Sequence, residues 1–261
     1  MTQELVKEII YEKDNKIRNG IYGFIQRGLA YNSNKIEGST LTEDDTWTLF
    51  NTGNLYKNDD VAFYRAKDIE EMTGHFAMFN KMIENYDQEL TEDIIKDYHR
   101  LLKQGVFEDI ANGYAIGEYK TRPNIVGSKD MVTSSPQMVE NDIKELLSWY
   151  SKKEVSIEVL AEFHEKYEKI HPFQDGNGRT GRIILFKECL KNNLTPFIIM
   201  DSNRLKYYNC LEKAHNGNIN DLTNYFKEEQ ELFKNQLNKF HNLINCKTKI
   251  RENDHDQGLV L

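Results

Sequence analysis

The sequence predicts an all-α protein with one small β-hairpin, and three observations carry that expectation. Only four prolines occur in 261 residues, Pro123, Pro136, Pro172 and Pro196, so long stretches are free to be helical. Apolar residues recur at helical spacing through almost every segment. Clear alternation is confined to Thr195–Met200 and to a glycine-rich region, Gly105 to Pro136.

In chain order, the apolar positions Leu5, Ile9, Ile17, Ile21, Phe24 and Ile25 predict helix between residues 4 and 30, and Gly38 interrupts beyond it. Thr42-Glu43-Asp44-Asp45 has the form of a capping box and opens a short helix through Trp47, Leu49 and Phe50. Phe63, Ile69, Met72, Phe76, Phe79 and Ile83 place a longer helix from about Asp59 to Glu84, and Thr91 starts another that reaches Gln104. Gly105, Gly113, Gly117 and Gly127 mark a loop with a short hairpin near Lys120–Val132. Helices resume at about 137–151 and, behind a Ser156 N-cap, at 156–170, where Leu160, Phe163, Tyr167 and Ile170 form one stripe. Further helices are expected at 178–192, 202–215 and 219–249, with a frayed tail from Arg251.

Composition narrows the functional classes. The charge is 34 Lys plus Arg against 42 Asp plus Glu, a net −8. That balance disfavours binding nucleic acid by charge alone, while leaving room for a local basic pocket. No apolar run approaches the ~18–20 residues that span a bilayer, and the opening MTQELVKEII lacks signal-peptide order. Cys189, Cys210 and Cys246 form no CxxC pair, which points to reduced thiols and a cytoplasmic location.

The densest polar segment is His171-Pro172-Phe173-Gln174-Asp175-Gly176-Asn177-Gly178-Arg179-Thr180-Gly181-Arg182, set between two helices that look apolar on one side. Gly176, Gly178 and Gly181 satisfy GxGxxG, with Asp201 beyond, but a charged helical segment precedes them where a dinucleotide fold needs a strand. An EF-hand reading from Asp175 fails at Thr180 and Phe186, where glycine and a bidentate glutamate are required. An anion site at a helix N-terminus fits better. Gly176-Asn177-Gly178 lets backbone N–H groups converge, and Arg179 and Arg182 stand three apart on the following helix. Asp175 is placed to hold a Mg²⁺ shared with a di- or triphosphate, and His171 supplies a base. The plainer alternative is a helix–loop–helix connection with surface arginines. His164-Glu165 is not HExxH, which excludes a zinc protease; His75, His99, His241 and His255 read as surface or core polar groups.

HPFQDGNGRTGR resembles the signature of Fic-domain proteins, HPFx(D/E)GNGRxxR, at every defined position. Gly117-Glu118-Tyr119-Lys120-Thr121-Arg122 through Gly127 resembles that family's flap hairpin. Arg204-x-x-Tyr207-Tyr208-x-x-Leu211-x-x-Ala214 resembles its adenine-side segment, and Ser33-Asn34-Lys35-Ile36-Glu37-Gly38 its inhibitory motif, (S/T)xxxE(G/N). The likeness spans roughly residues 30–230. It implies a Fic-type helical bundle with a helical extension over 1–90 that carries motif 33–38, a core over 91–235, and a helix end and tail over 236–261.

The implied activity is transfer of AMP from ATP to a Ser, Thr or Tyr hydroxyl of a protein, with Mg²⁺ or Mn²⁺ as cofactor. His171 would be the base and Asp175 the metal ligand. The 176–178 amides, with Gly176, Asn177 and Gly178, would hold the phosphates, with Arg179 on the α/β side and Arg182 toward γ; Phe173 would anchor the loop in the core. Tyr207, Tyr208 and His215 would flank the adenine. Relatives carry Asn where this chain has His215, so adenine selectivity is expected to be weaker than triphosphate binding. Gly178, rather than the lysine of the Doc-like branch, favours AMP transfer over phosphate transfer. Asn124, Ile125, Val126 and Gly127 would hold the target by strand addition. Glu37, oriented by Ser33, would pair with Arg182 in the γ-phosphate position. Implied partners are ATP, a protein target, the chain itself as a substrate and a second copy as a homodimer, without membrane or direct nucleic-acid contact. The other readings of the same site are a non-catalytic nucleotide-sensing or interaction module and a de-adenylylating enzyme.

Overall fold

The computed structural model describes residues 2–56, 63–126 and 131–257, of which 125, 126, 131, 132 and 244–257 are described by backbone alone. The regular elements among the described residues are helices apart from one small hairpin. The helices are α1 (Thr2–Asp14), α2 (Ile21–Ile36), α3 (Glu43–Thr52), α4 (Ala66–Glu84), α5 (Glu92–Lys103), α6 (Phe107–Ala111), α7 (Val139–Tyr150), α8 (Ile157–Ile170), α9 (Asn177–Lys191), α10 (Arg204–His215) and α11 (Ile219–Gln257). Strands β1 (Ile125–Val126) and β2 (Met131–Val132) pair antiparallel, 125 with 132 and 126 with 131. Among the described residues no helix is long and apolar enough to cross a membrane.

At the centre lies α9, packed by α2, α4, α5 and α8. From Asn177 to Leu190 only Gly178 is not buried, so the helix is buried all round instead of on one side. Its polar residues therefore need internal partners. Lys187 and Glu188 pair at 2.7 Å, Lys187 also donates to Gln88 O at 2.6 Å, and Tyr150 donates to Glu188 at 2.6 Å. Satisfied in this way, a buried ion pair is tolerated where either partner alone would be costly.

Three expected caps form: Thr42 with Asp45 makes the reciprocal capping box of α3, Thr91 accepts from Ile94 N, and Ser156 accepts from Val159 N. Four boundaries differ from expectation. The 4–30 stretch is two helices, broken over 15–20, because the Glu12 carboxylate turns in and accepts from Tyr22 N at 2.7 Å, capping α2. A side-chain carbon at Gly20 would strike that carboxylate at 1.9 Å. Helix α4 starts at Ala66; Phe63 is exposed and outside the helix, and the expected residues before it fall outside those described. Helix α6 has no apolar stripe to reveal it, since Phe107 and Ile110 face solvent. Helix α11 continues through Gln257 instead of ending near 249. The alternating Thr195–Met200 stretch forms no strand; it runs beside α9 with Phe197, Ile198 and Ile199 buried.

Candidate functional site

Helix α8 ends on His171, whose backbone is left-handed at φ 52° and ψ 63°. A non-glycine residue seldom adopts this conformation, and it commonly marks a functional position. Helix α9 begins immediately after the left-handed Gly176, φ 84°. Between them the loop is fixed from inside. Asn177 Oδ1 accepts from Phe173 N at 2.7 Å and Asn177 Nδ2 donates to Phe173 O at 2.8 Å. Phe173 is fully buried, as expected, and stacks on His99 with ring centroids 3.8 Å apart. The Asn177 side chain is thus committed to the loop itself, and what it leaves for an anion is its backbone N–H.

His99 also braces the loop through both ring nitrogens. Its Nε2 lies 3.0 Å from Asp175 O, and its Nδ1 accepts from Gly117 N at 2.9 Å. The hairpin is latched alongside: Lys120 N donates to Pro172 O at 2.9 Å, and Asn124 Nδ2 donates to Phe173 O at 2.8 Å. Asn124 Oδ1 accepts from Lys120 Nζ at 2.7 Å. Asn124 therefore pins the flap to the loop and its side chain is not free for a target. Ile125 and Val126 stand in β1, while Gly127 lies outside the described residues.

The two arginines diverge instead of facing one ligand. Arg179 is buried and bonds Glu71 Oε2 at 2.5 Å, Asn34 Oδ1 at 3.2 Å and Asp175 Oδ1 at 3.3 Å. Arg182 points to α2: its Nε donates to Ser33 Oγ at 2.9 Å, and an NH2 group donates to Ser33 O at 3.0 Å and Glu37 Oε1 at 2.6 Å. Ser33 thus contacts Arg182 directly, beyond the orienting part expected of it. Burial works against the Arg182 charge, and Glu37, Tyr207 and Glu168 together more than offset this. Glu37 follows the last turn of α2, and Gly38 at φ 86° ends the helix in the left-handed region. The carboxylate lies against the first turn of α9. A side-chain carbon at Gly178 would stand 2.4 Å from Glu37 Oε1 and 2.8 Å from an Arg182 terminal nitrogen. An anion therefore already sits at the positive end of α9, held by a buried guanidinium.

Asp175 is surrounded by cations. Lys103 Nζ lies 2.9 Å and Lys67 Nζ 3.5 Å from Oδ2, with Arg179 on Oδ1. Burial opposes its ionisation, but these three charges and the Lys103 hydrogen bond hold it far below the usual carboxylate range. Carboxylate oxygens of Asp175, Glu71 and Asp109 come within 4.8 Å of one another, a hard-oxygen set that suits Mg²⁺.

Of the residues expected to flank an adenine, Tyr207 is buried with its hydroxyl 2.7 Å from His164 Nε2. Tyr208 is 42 % exposed and offers a ring face. His215 is tied to Glu165 at 2.8 Å.

Burial dominates the histidines. His75, His99 and His164 are pushed down to about 3, and His171 to about 4 with help from the Lys120 charge. All four fold neutral, whereas in the unfolded chain they protonate near 6.5. The unfolded state thus binds more protons below pH ~6.5. Their stabilisation is complete above that pH and falls with acidification by up to ~1.4 kcal/mol per pH unit for each group. Among the acids pushed up by burial, Glu168, at about 7, acts in the opposite sense over the same window. Urea midpoints are expected to fall from about pH 6.5 to about pH 4.5. A flat profile would mean that these imidazoles are charged in the folded state.

Glu71, Lys103, Asp109, Asn34 and Lys67 were not singled out by sequence, and His99 read only as a surface or core polar group. They lie on other helices, with nothing in their spacing to tie them to the loop; only Asn34 carried a signal, sitting inside the 33–38 motif.

Residues 89–188 match the family described as Fic/DOC. Protein adenylyltransferase fic-1 of Caenorhabditis elegans is 25 % identical over 206 residues, covering 77 % of this chain and 39 % of the relative. Protein adenylyltransferase Fic of Nematostella vectensis is 27 % identical over 194 residues, covering 72 % and 43 %. This chain thus spans about two fifths of the length of these curated relatives. Among solved structures, a Fic domain containing signaling protein from Bacteroides thetaiotaomicron superposes with TM-score 0.70 at 25 % identity, covering 88 % of this chain and 92 % of that one. Fic-1 of C. elegans superposes with TM-score 0.71 at 20 % identity over 94 % of this chain and 73 % of that one, a likeness of fold.

Proposed function

We propose that this chain, whose residues 89–188 match the Fic/DOC family, is a protein adenylyltransferase, moving AMP from ATP to a protein hydroxyl, and that Glu37 restrains it. The observation that carries this reading is the Glu37 carboxylate on Arg182 at the N-terminus of α9, where a phosphate would otherwise sit.

In this account neutral His171 takes the proton from the incoming hydroxyl. The hydroxyl oxygen bonds to the α-phosphorus, the α–β bridging bond breaks, and pyrophosphate leaves. The N–H groups at 176–178 and the Arg182 guanidinium meet the phosphate charge. Arg179 holds Asp175 and Glu71 in place, so Arg182 is the arginine left for the nucleotide. Asp175, with Glu71 and Asp109 nearby, would hold a Mg²⁺ or Mn²⁺, which supplies neutralisation of the departing pyrophosphate. The hairpin, pinned by Asn124, would present the target segment to His171, and Tyr208 would offer its ring to the base. The substrate side chain, self-modification, pairing into a homodimer and a cytoplasmic setting belong to the same reading.

Incubating the chain and a cell extract with ATP labelled at the α- or the γ-phosphate tests it. Covalent label is expected from the α position alone. Label from the γ position would indicate phosphate transfer, and none from either would leave a binding module. A narrower expectation concerns Arg182. In the Glu37→Gly background, Arg182→Ala removes a charge-assisted phosphate contact worth about 1.5–3 kcal/mol. Calorimetric ATP affinity is expected to drop roughly 10- to 150-fold, and an unchanged affinity would take Arg182 out of the nucleotide site.

A further inference from the structure

The cluster behind the loop holds a cation already. Lys103, on the last turn of α5, is 1 % exposed, and its Nζ touches Glu71 Oε1 at 2.5 Å, Asp109 Oδ2 at 2.5 Å and Asp175 Oδ2 at 2.9 Å. These are the same three carboxylates whose oxygens converge within 4.8 Å. The ammonium therefore stands in their midst, where a hard divalent ion would find its ligands. The charges balance: Glu71, Asp109 and Asp175 contribute three negatives, and Lys67, Lys103 and Arg179 three positives. A divalent ion added to this buried set would bring two uncompensated charges. Nucleotide phosphates would supply the missing negative charge from the solvent side, where the Asp175 side chain is 33 % exposed.

We infer that Lys103 is a tethered counter-ion occupying the divalent-cation position behind the loop, so that Asp175 takes a metal only together with nucleotide phosphates. Lys103 is in this sense a positioning residue: it keeps Asp175 ionised and aimed at the loop while withholding it from free metal. Lys67, at 3.5 Å from Asp175 and 3.8 Å from Asp109, adds to the same effect from the rim. The inference rests on Asp175 as the metal ligand of the proposed reaction, and its test leaves nucleotide out, so its failure and failure of that reaction are separate results.

The measurement is Mn²⁺ binding to the full chain without nucleotide, read by the electron paramagnetic resonance of free Mn²⁺, with melting temperature followed in parallel. Wild type is expected to bind weakly. Lys103→Met, similar in length and uncharged, is expected to bind roughly tenfold or more tightly, because three carboxylates then face two cations. Its melting temperature is expected to rise with Mn²⁺ while that of wild type does not. Removing one partner of a buried network can prevent folding, so Lys67→Met, at the more exposed lysine, provides the second arm and is expected to tighten Mn²⁺ binding a few-fold. Wild type that binds Mn²⁺ as tightly as the folded Lys103→Met chain would overturn the inference. So would a Lys67→Met chain with unchanged Mn²⁺ affinity.

Discussion

His171→Ala is expected to bind ATP as the parent chain does and to transfer AMP about 10²–10⁴-fold more slowly, the usual cost of losing a general base. The separation of the two effects follows from position. His171 follows α8 with a left-handed backbone, at the other end of the loop from the amides of α9. Its loss removes a proton acceptor without removing a phosphate contact. Because the imidazole is pushed down to about 4, it is neutral at every pH at which the fold is comfortable. The acid limb of the rate should therefore lie near pH 4, well below the ordinary histidine value. Single-turnover transfer beside calorimetric ATP binding checks both statements. Transfer within threefold of the parent would remove His171 from the chemistry.

Glu37→Gly is expected to do the reverse and accelerate transfer, an unusual result for deleting a charged side chain. The carboxylate lies 2.6 Å from Arg182 and close against Gly178, so it and a γ-phosphate compete for one guanidinium and one helix end. A release worth about 2–3 kcal/mol corresponds to roughly 30- to 150-fold at subsaturating ATP. Ser33→Ala should act in the same direction but less. It loses the hydroxyl that accepts from Arg182 Nε, while the bond to the Ser33 carbonyl survives. Combining Glu37→Gly with Arg182→Ala should show no gain over Arg182→Ala alone, since the two residues act as a unit.

What was legible in the sequence was mostly what is contiguous. The loop 171–182 and its flanking helices follow from local glycine, proline and apolar patterning, and the caps at Thr42, Thr91 and Ser156 from single residues. The pairing of Glu37 with Arg182 was legible across 145 positions only because each belongs to a motif of its own. Where neither contiguity nor motif helped, the reading failed for physical reasons. The apolar period runs on from α1 into α2, so the break could not be seen; it depends on Glu12 finding Tyr22 N. Arg179 looked equivalent to Arg182, three residues away, until Glu71 of α4 claimed it. Asn124 and Asn177 looked like ligand-binding amides, but each closes on Phe173. Lys103 could not be linked to Asp175 from sequence, 72 positions apart and with an ordinary helical lysine's surroundings.

The central claim is that this loop transfers AMP and that Glu37 restrains it. It is tested most directly by mass spectrometry of an extract incubated with Mg²⁺, ATP and either Glu37→Gly or the doubly substituted Glu37→Gly, His171→Ala chain. Hydroxyl side chains, on a target or on the chain itself, are expected to gain the mass of one AMP with the first chain and not with the second. Equal AMP addition by both chains, or none by Glu37→Gly while it still binds ATP, would contradict it.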